Sequence, residues 1–267
     1  MKKIQILLTN DDGIQSPGLW AAAEALSEIG YVTVAAPREQ SSGTGRSLPI
    51  TSDGIIKPEK LTIHDQEWTV YAVGGTPAQA VLHATLEIMP EAPDLVVSGI
   101  NYGENLATGV SVSGTVGAAM EAAALGFRSL AMSLETDRSN HLSYSRDVDF
   151  SAAAYFTKYF AHLVLQKKFP YDVDLIKVDI PSDATPDTPW EMAKLGRQRY
   201  YEATAPIRGS WNETGTVGYK LAALKEPEPD DSDVYVVRTR RHVAVTPLSL
   251  DFTSRVDLKG IDKLLRE

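Results

Sequence analysis

The chain has 267 residues, 43% of them hydrophobic and 8% aromatic, enough for one large buried core or for one domain with an appendage. Its 26 Lys and Arg face 35 Asp and Glu, a net charge of −9, and such a surface repels long nucleic acids, whose binding rests on many phosphate–cation contacts. Cysteine is absent, which excludes disulfides and thiolate sites and leaves oxygen or imidazole for any metal, favouring Mg²⁺, Mn²⁺ or Ca²⁺.

Behind Met1-Lys2-Lys3 the apolar stretch Ile4–Leu8 is too short for a secretion signal and reads as a strand. No apolar run reaches the roughly 18 residues that span a bilayer, so the expectation is a soluble, cytoplasmic protein with no membrane contact. Strands are predicted at Ile4–Thr9 and Tyr31–Ala36, with a helix between them at Pro17–Ile29 opened by its proline. Leu48–Lys57 and Leu61–Val73 read as a hairpin inserted at about 48–73. Then follow a helix at Pro77–Ile88, a strand at Asp94–Ser98, a helix at Ser113–Leu125 and a strand at Ser129–Ser133. Asp147–Leu165 is a long helix with an apolar face, and Leu175–Val178 a further strand. Strands separated by helices predict an α/β fold: a Rossmann-like, mostly parallel sheet flanked by helices over residues 1–181. Beyond Pro181 the alternation gives way to short β-like runs (Tyr200–Thr204, Val234–Thr239, His242–Thr246) and an acidic, proline-containing loop at Lys225–Asp233. Residues 182–267 therefore read as a β-rich C-terminal extension of a kind used for subunit contacts.

In an open parallel sheet, ligands bind beyond the carboxyl ends of the strands. The first strand ends in Thr9-Asn10-Asp11-Asp12-Gly13, the second leads into Ser41-Ser42-Gly43-Thr44-Gly45, and the third into Gly99-Ile100-Asn101-Tyr102-Gly103-Glu104-Asn105. One Asp can simply cap a turn. Two carboxylates about 4 Å apart repel by about 4 kcal/mol at an effective dielectric near 20, and a divalent cation reverses that sign, so Asp11 and Asp12 are read as metal ligands. Gly13 frees the backbone to turn both toward one point. The Ser/Gly loop is either flexible chain or a place where backbone N–H groups and hydroxyls meet a metal or a phosphate. Ser113-Gly114-Thr115 opens an Ala-rich helix; Ser113 is either a plain cap or part of a phosphate site at the positive helix end. Asn101 and Asn105 supply neutral polar groups. Gly74-Gly75-Thr76-Pro77 is a helix-opening turn, either structural or lining the pocket.

At these residues the chain resembles the survival protein E family of stationary-phase nucleotidases. The matching pieces are Thr9 to Ile14, Ala36-Pro37 through Gly45, Gly75 to Ala78, Ser98 to Leu106 and Ser113 to Val116, in one order over about half the chain. The resemblance implies a Rossmann-like core, a homodimer or homotetramer built through the C-terminal region, and 5′- or 3′-nucleotide phosphatase activity. It implies one Mg²⁺ or Mn²⁺ per subunit on Asp11, Asp12, Ser42 and Asn101, with phosphate met by Asn10, Gly43, Thr44, Asn105, Ser113, Gly114 and Thr115. Gly109 and Val112 depart from the pattern, which often has an Asp and an aromatic residue there, and the segment after Thr185 shows little to match.

The five histidines (64, 83, 141, 162 and 242) have no metal-ligand spacing and read as structural or solvated. Arg238, Arg240 and Arg241 could meet a phosphate or, more simply, a subunit or solvent. The chemistry expected is hydrolysis of a small nucleotide by a metal-activated water, with Asp11 or Asp12 as proton acceptor. Two rivals stand beside it. A Mg²⁺-binding receiver-like signalling or nucleotide-binding protein without turnover would use the same acids, but receivers are about half this length and need an Asp ending a central strand, where this chain has Ser98. A dinucleotide-dependent oxidoreductase needs Gly-x-Gly-x-x-Gly after strand one, where two acids stand instead.

Overall fold

The computed structural model describes residues 3–63, 66–141, 144–223 and 226–267. Met1, Lys2, His64 and Lys225, each part of an expectation above, lie outside the described residues. The chain begins β1 (Gln5–Thr9), α1 (Pro17–Ser27), β2 (Tyr31–Pro37), β3 (Ile56–Ile63), β4 (Gln66–Val73) and α2 (Pro77–His83), which continues as a π turn over Ala84–Ile88. Next come β5 (Leu95–Tyr102), a 3₁₀ turn at Ala107–Ser111, α3 (Gly114–Ala124), β6 (Ser129–Leu134), α4 (Ser151–Gln166) and β7 (Leu175–Ile180). The remainder holds β8 (Trp190–Met192), β9 (Tyr201–Thr204), β10 (Gly218–Leu221), the short α5 (Asp233–Tyr235), β11 (Val243–Leu248) and α6 (Leu258–Arg266).

One sheet runs in the order β3-β4-β2-β1-β5-β6-β7-β11-β8, and β4 through β7 in that order are parallel. The inner strands β1, β2 and β5 are buried on both faces over most of their length, which is why they read as largely apolar runs. Along β1, Ile6 and Leu8 face one side and Leu7 the other, as strand pleating requires. The first side packs Leu19 and Leu26 of α1 with Phe156 and Phe160 of α4; the second packs Val81 of α2 with Ala118 and Ala122 of α3. The chain leaves β1 toward β2 on one side and later returns to place β5 on the other. The strand order therefore reverses at β1, and the crevice beyond the carboxyl ends of β1 and β5 is where such sheets bind ligands.

Three expectations change. The first arm of the hairpin starts at Ile56 rather than Leu48, pairing antiparallel with β4 from Ile56↔Val73 to Ile63↔Gln66. Val234–Thr239 is not a strand: Ser232 caps a helical turn by accepting from Tyr235 N at 3.1 Å, and a π turn follows over Val236–Arg240. Its valines fit either period, and the cap decides. The main sheet also continues past residue 181, because β11 pairs antiparallel with β7 and carries β8 on its far edge. Among the described residues only β9 and β10 form a separate antiparallel ribbon. Among the described residues no helix is long and apolar enough to cross a membrane.

Candidate active site

The loop after β1 is closed by Asn10, whose Oδ1 accepts from Gly13 N and whose Nδ2 donates to Gly13 O, both at 3.1 Å. Its amide is spent on the turn, not on the phosphate expected there. The turn buries the next two side chains, Asp11 at 4% and Asp12 at 2% exposure. Thr115 Oγ1 donates to Asp11 Oδ1 at 2.6 Å. Asp12 Oδ1 accepts from Gln40 Nε2 at 3.2 Å, and its Oδ2 from Tyr102 N at 3.1 Å. Burial pushes the Asp11 carboxyl above its ordinary range, against the pull of the Thr115 hydroxyl and the backbone amides of Thr115 and Gly114. Burial pushes Asp12 well above it too, and the neighbouring charge of Asp11 adds to the rise. Two acids are thus held side by side out of water, each holding its proton more firmly than an ordinary carboxyl.

β5 runs past its predicted end because a bulge breaks its register with β6, which jumps from Ser98↔Ala131 to Asn101↔Ser133. Gly99 permits it: its φ is +133°, and a Cβ there would lie 2.3 Å from Met132 O. The irregularity re-aims the following side chains. Asn101 Nδ2 donates to Gly103 O at 2.6 Å, which leaves Oδ1 to face the Thr115 hydroxyl at 3.2 Å and hence Asp11. Asn105 Nδ2 donates to Ser133 Oγ at 2.9 Å. Ser113 is a true cap, accepting from Val116 N at 3.1 Å. Gly114 lies so close to Asp11 that a Cβ would sit 2.7 Å from the aspartate's own. The opening of α3 is therefore aimed first at Asp11, with Thr115 fully buried behind it.

Asp11, Ser42, Gly43, Asn101, Asn105 and Ser113 come together on the wall of one cavity of about 680 Å³. Asp12 sits behind Asp11 and off that wall. Thr44 is also off it, its hydroxyl donating to Ser41 O at 2.8 Å, and Gly74 to Thr76 line a separate depression. Among the described histidines only His141 reaches the cavity. Arg238 and Arg241 are tied to Glu135 at 2.7 and 2.6 Å, and Arg240 to Glu191 at 2.5 Å.

Residues 6–202 match the family described as Survival protein SurE. The chain belongs to this family. It is 39% identical to a 5′-nucleotidase SurE of Thermococcus gammatolerans over 98% of this chain and 96% of that one. A protein of the same name from Archaeoglobus fulgidus is 38% identical, covering 97% and 96%. Among solved structures, the SurE protein of Aquifex aeolicus superposes with a TM-score of 0.73 at 31% identity, over 98% of this chain and 99% of that one.

In this SurE chain the donors suit a hard divalent cation: carboxylate, hydroxyl and amide oxygens, with neither sulfur nor imidazole. Among the described residues no three or more His, Asp or Glu side chains are placed to hold a metal ion by themselves. A cation at Asp11 and Asp12 would thus draw on neutral oxygens such as Ser42 Oγ and Asn101 Oδ1. The sequence reasoning did not single out Thr115 as the partner of Asp11, Gln40 as the partner of Asp12, or the far wall of the cavity, where Glu104, His141, Tyr201 and Tyr219 stand. A usable signal existed for that wall alone: Tyr201 and Ala203 alternate on a short run already read as β.

Proposed function

We propose that this chain is a divalent-cation-dependent nucleotidase, hydrolysing nucleoside 5′-monophosphates, and 3′-monophosphates at the same site, to nucleoside and phosphate. One observation carries the reading: a buried Asp pair at the sheet's reversal point, with Asp11 opening onto a nucleotide-sized cavity, in a family whose relatives bear the name 5′-nucleotidase. Asp11, Asp12, Ser42 and Asn101 hold one Mg²⁺ or Mn²⁺. When bound, such an ion offsets charge on the phosphoryl oxygens and acidifies a water. Asp11, on the cavity wall, is better placed than Asp12 to take the proton of the attacking water, and the Thr115 hydroxyl fixes its orientation. Ser113 Oγ, the backbone of Gly43 and Asn105 receive the phosphoryl oxygens and hold the group for in-line displacement. Without the cation, two acids would repel the phosphate. Phosphate release from AMP, with and without EDTA, tests this. Turnover that survives EDTA removes the metal from the reading, and no release from any nucleoside monophosphate removes the activity.

We also propose a cytoplasmic homodimer or homotetramer joined through the C-terminal helix. Leu258, Ile261, Leu264 and Leu265 of α6 lie on one helical face, 41–81% exposed, more apolar surface than a lone helix leaves in water. Sedimentation velocity should show Leu264→Ser, Leu265→Ser as a smaller species than the wild type; equal sedimentation would dismiss α6 as the joint.

A further inference from the structure

The cavity is acidic and hydroxyl-lined at Asp11 and changes character toward its other end, where the wall is one face of the β9–β10 ribbon. Pairing sets Tyr219 opposite Ala203 and Leu221 opposite Tyr201. Since side chains alternate along a strand, these four share a face, and Tyr201, Ala203 and Tyr219 line the cavity. The other face carries Glu202 and Lys220, paired at 2.9 Å. The two tyrosine rings meet edge to face, centroids 5.3 Å apart at 75°. Val112 and Val217 complete the wall at 59% and 62% exposure, open apolar groups beside a polar site.

These rings are fixed before any ligand arrives. Tyr201 Oη donates to Glu104 Oε1 at 3.0 Å, and Tyr219 Oη lies 3.1 Å from His141 Nδ1. Arg138 holds the ribbon's backbone, donating to Tyr219 O at 2.6 Å. A locked aromatic wall binds without an ordering cost. Glu104 belongs to the loop that carries Asn101 and Asn105, so one segment sets the spacing between the phosphate end and the rings. A phosphate held at Asp11 leaves the rest of its molecule to run along the cavity toward the tyrosine rings.

We propose that Tyr201 and Tyr219, with Val112 and Val217, form a nucleobase-stacking subsite. It makes the enzyme select phosphate esters that carry an aromatic base while choosing little among bases. The inference rests on the nucleotidase reading and names its substrate class. Choice among bases is weak because every base presents a π-face, and the ribbon face offers rings and small apolar groups rather than amides or carboxylates that would read a base edge.

The test is steady-state kinetics on AMP, GMP, CMP, UMP and ribose 5-phosphate with the wild type and Tyr219→Leu. The wild type should favour AMP over ribose 5-phosphate by about 10-fold or more in kcat/KM, with the four nucleotides within about 10-fold of one another. Tyr219→Leu should raise KM for AMP by about 10-fold and leave KM for ribose 5-phosphate within about two-fold. Equal losses on AMP and ribose 5-phosphate would make Tyr219 merely structural and overturn the subsite, as would equal wild-type kcat/KM for the two. Should the leucine variant fail to fold, competition in the wild type decides: adenosine, a base without phosphate, should inhibit AMP hydrolysis where ribose does not, and its failure to compete overturns the proposal. Wild-type enzyme that releases phosphate from none of these esters would sink the nucleotidase reading itself.

Discussion

Replacing Asp12 with asparagine is expected to stabilise the metal-free protein while abolishing turnover. Asp12 is 2% exposed and Asp11 4%, and burial followed by the Asp11 charge pushes the Asp12 carboxyl well above its ordinary value. Two unit charges about 4 Å apart repel by about 4 kcal/mol at an effective dielectric near 20. Asparagine removes that repulsion but keeps one acceptor oxygen, so Tyr102 N or Gln40 Nε2 loses its partner at about 1 kcal/mol. The balance is a gain of about 1–3 kcal/mol, or roughly 2–10 °C in Tm for a chain of this size. The sign depends on pH. A carboxyl whose folded pKa is raised binds its proton more tightly when folded, so the wild type loses stability as pH climbs from 3.8 through the raised value. The variant escapes part of that loss, and its advantage should widen with pH. Magnesium works the other way, because a ligand at about 100 times its Kd adds about 2.7 kcal/mol to the form that binds it and so offsets the variant's gain. Thermal melts in EDTA and in magnesium, at about pH 5 and about pH 8, read all of this. A variant that melts below the wild type in EDTA at about pH 8, or equal magnesium shifts in both proteins, would refute the reasoning.

Lys177 is fully buried, paired with Asp179 and with Asp233 at 3.2 Å; Lys177→Met strands two buried carboxylates and should cost about 3–5 kcal/mol by urea unfolding. Gly99→Ala places a Cβ 2.3 Å from Met132 O at a φ of +133°; it should lose about 3 kcal/mol or more and lower kcat, since Asn101 two residues on must move. Burial pushes the His141 pKa below 6.5, so the stability it contributes is present above 6.5 and lost as pH falls through the folded value. Acid titration of unfolding should therefore be shallower in His141→Gln than in the wild type.

The inner parallel strands were legible because burial on both faces writes a largely apolar run, as in Ile6-Leu7-Leu8, and α3 because an alanine run follows a capping serine. The last turns of β5 were not: Gly99 to Tyr102 read as loop, and only the close approach of β6 shows why a bulge belongs there. Val234–Thr239 misled because its valines suit either period, and the capping by Ser232 outweighs them. In the site, Asp11 and Asp12 stand out in the sequence as paired acids at the end of the first strand, whereas Ser42 and Asn101 enter as metal ligands through the family resemblance. Their surroundings were not legible. That Asn10 serves its own turn, that Thr115 serves Asp11, and that Asp12 stands behind rather than on the wall depend on how close α3 and β5 approach the β1 loop, and no local pattern encodes that distance. The aromatic wall was hidden for the same reason: Tyr201 and Tyr219 are far apart in sequence and become neighbours only through the ribbon.

The segment from Asn101 to Ala107 joins these parts. Asn101 faces Asp11 through the Thr115 hydroxyl, Glu104 holds Tyr201, Asn105 N donates to Asp179 at 2.7 Å and Ala107 N to Asp233 at 3.0 Å. Asp179 and Asp233 are both paired with the buried Lys177. Ala107 has a φ of +52°, a conformation that L side chains avoid and that persists only when its surroundings impose it. Here two buried carboxylates impose it by accepting backbone N–H groups on either side of Leu106, which is itself packed against Val234 and Val236. A loop restrained at so many points is stiff, and stiffness is what a phosphate site and a ring wall need if both are to fit one ligand. The C-terminal segment around Asp233 is therefore part of the site's frame although Asp233 is buried off the cavity wall.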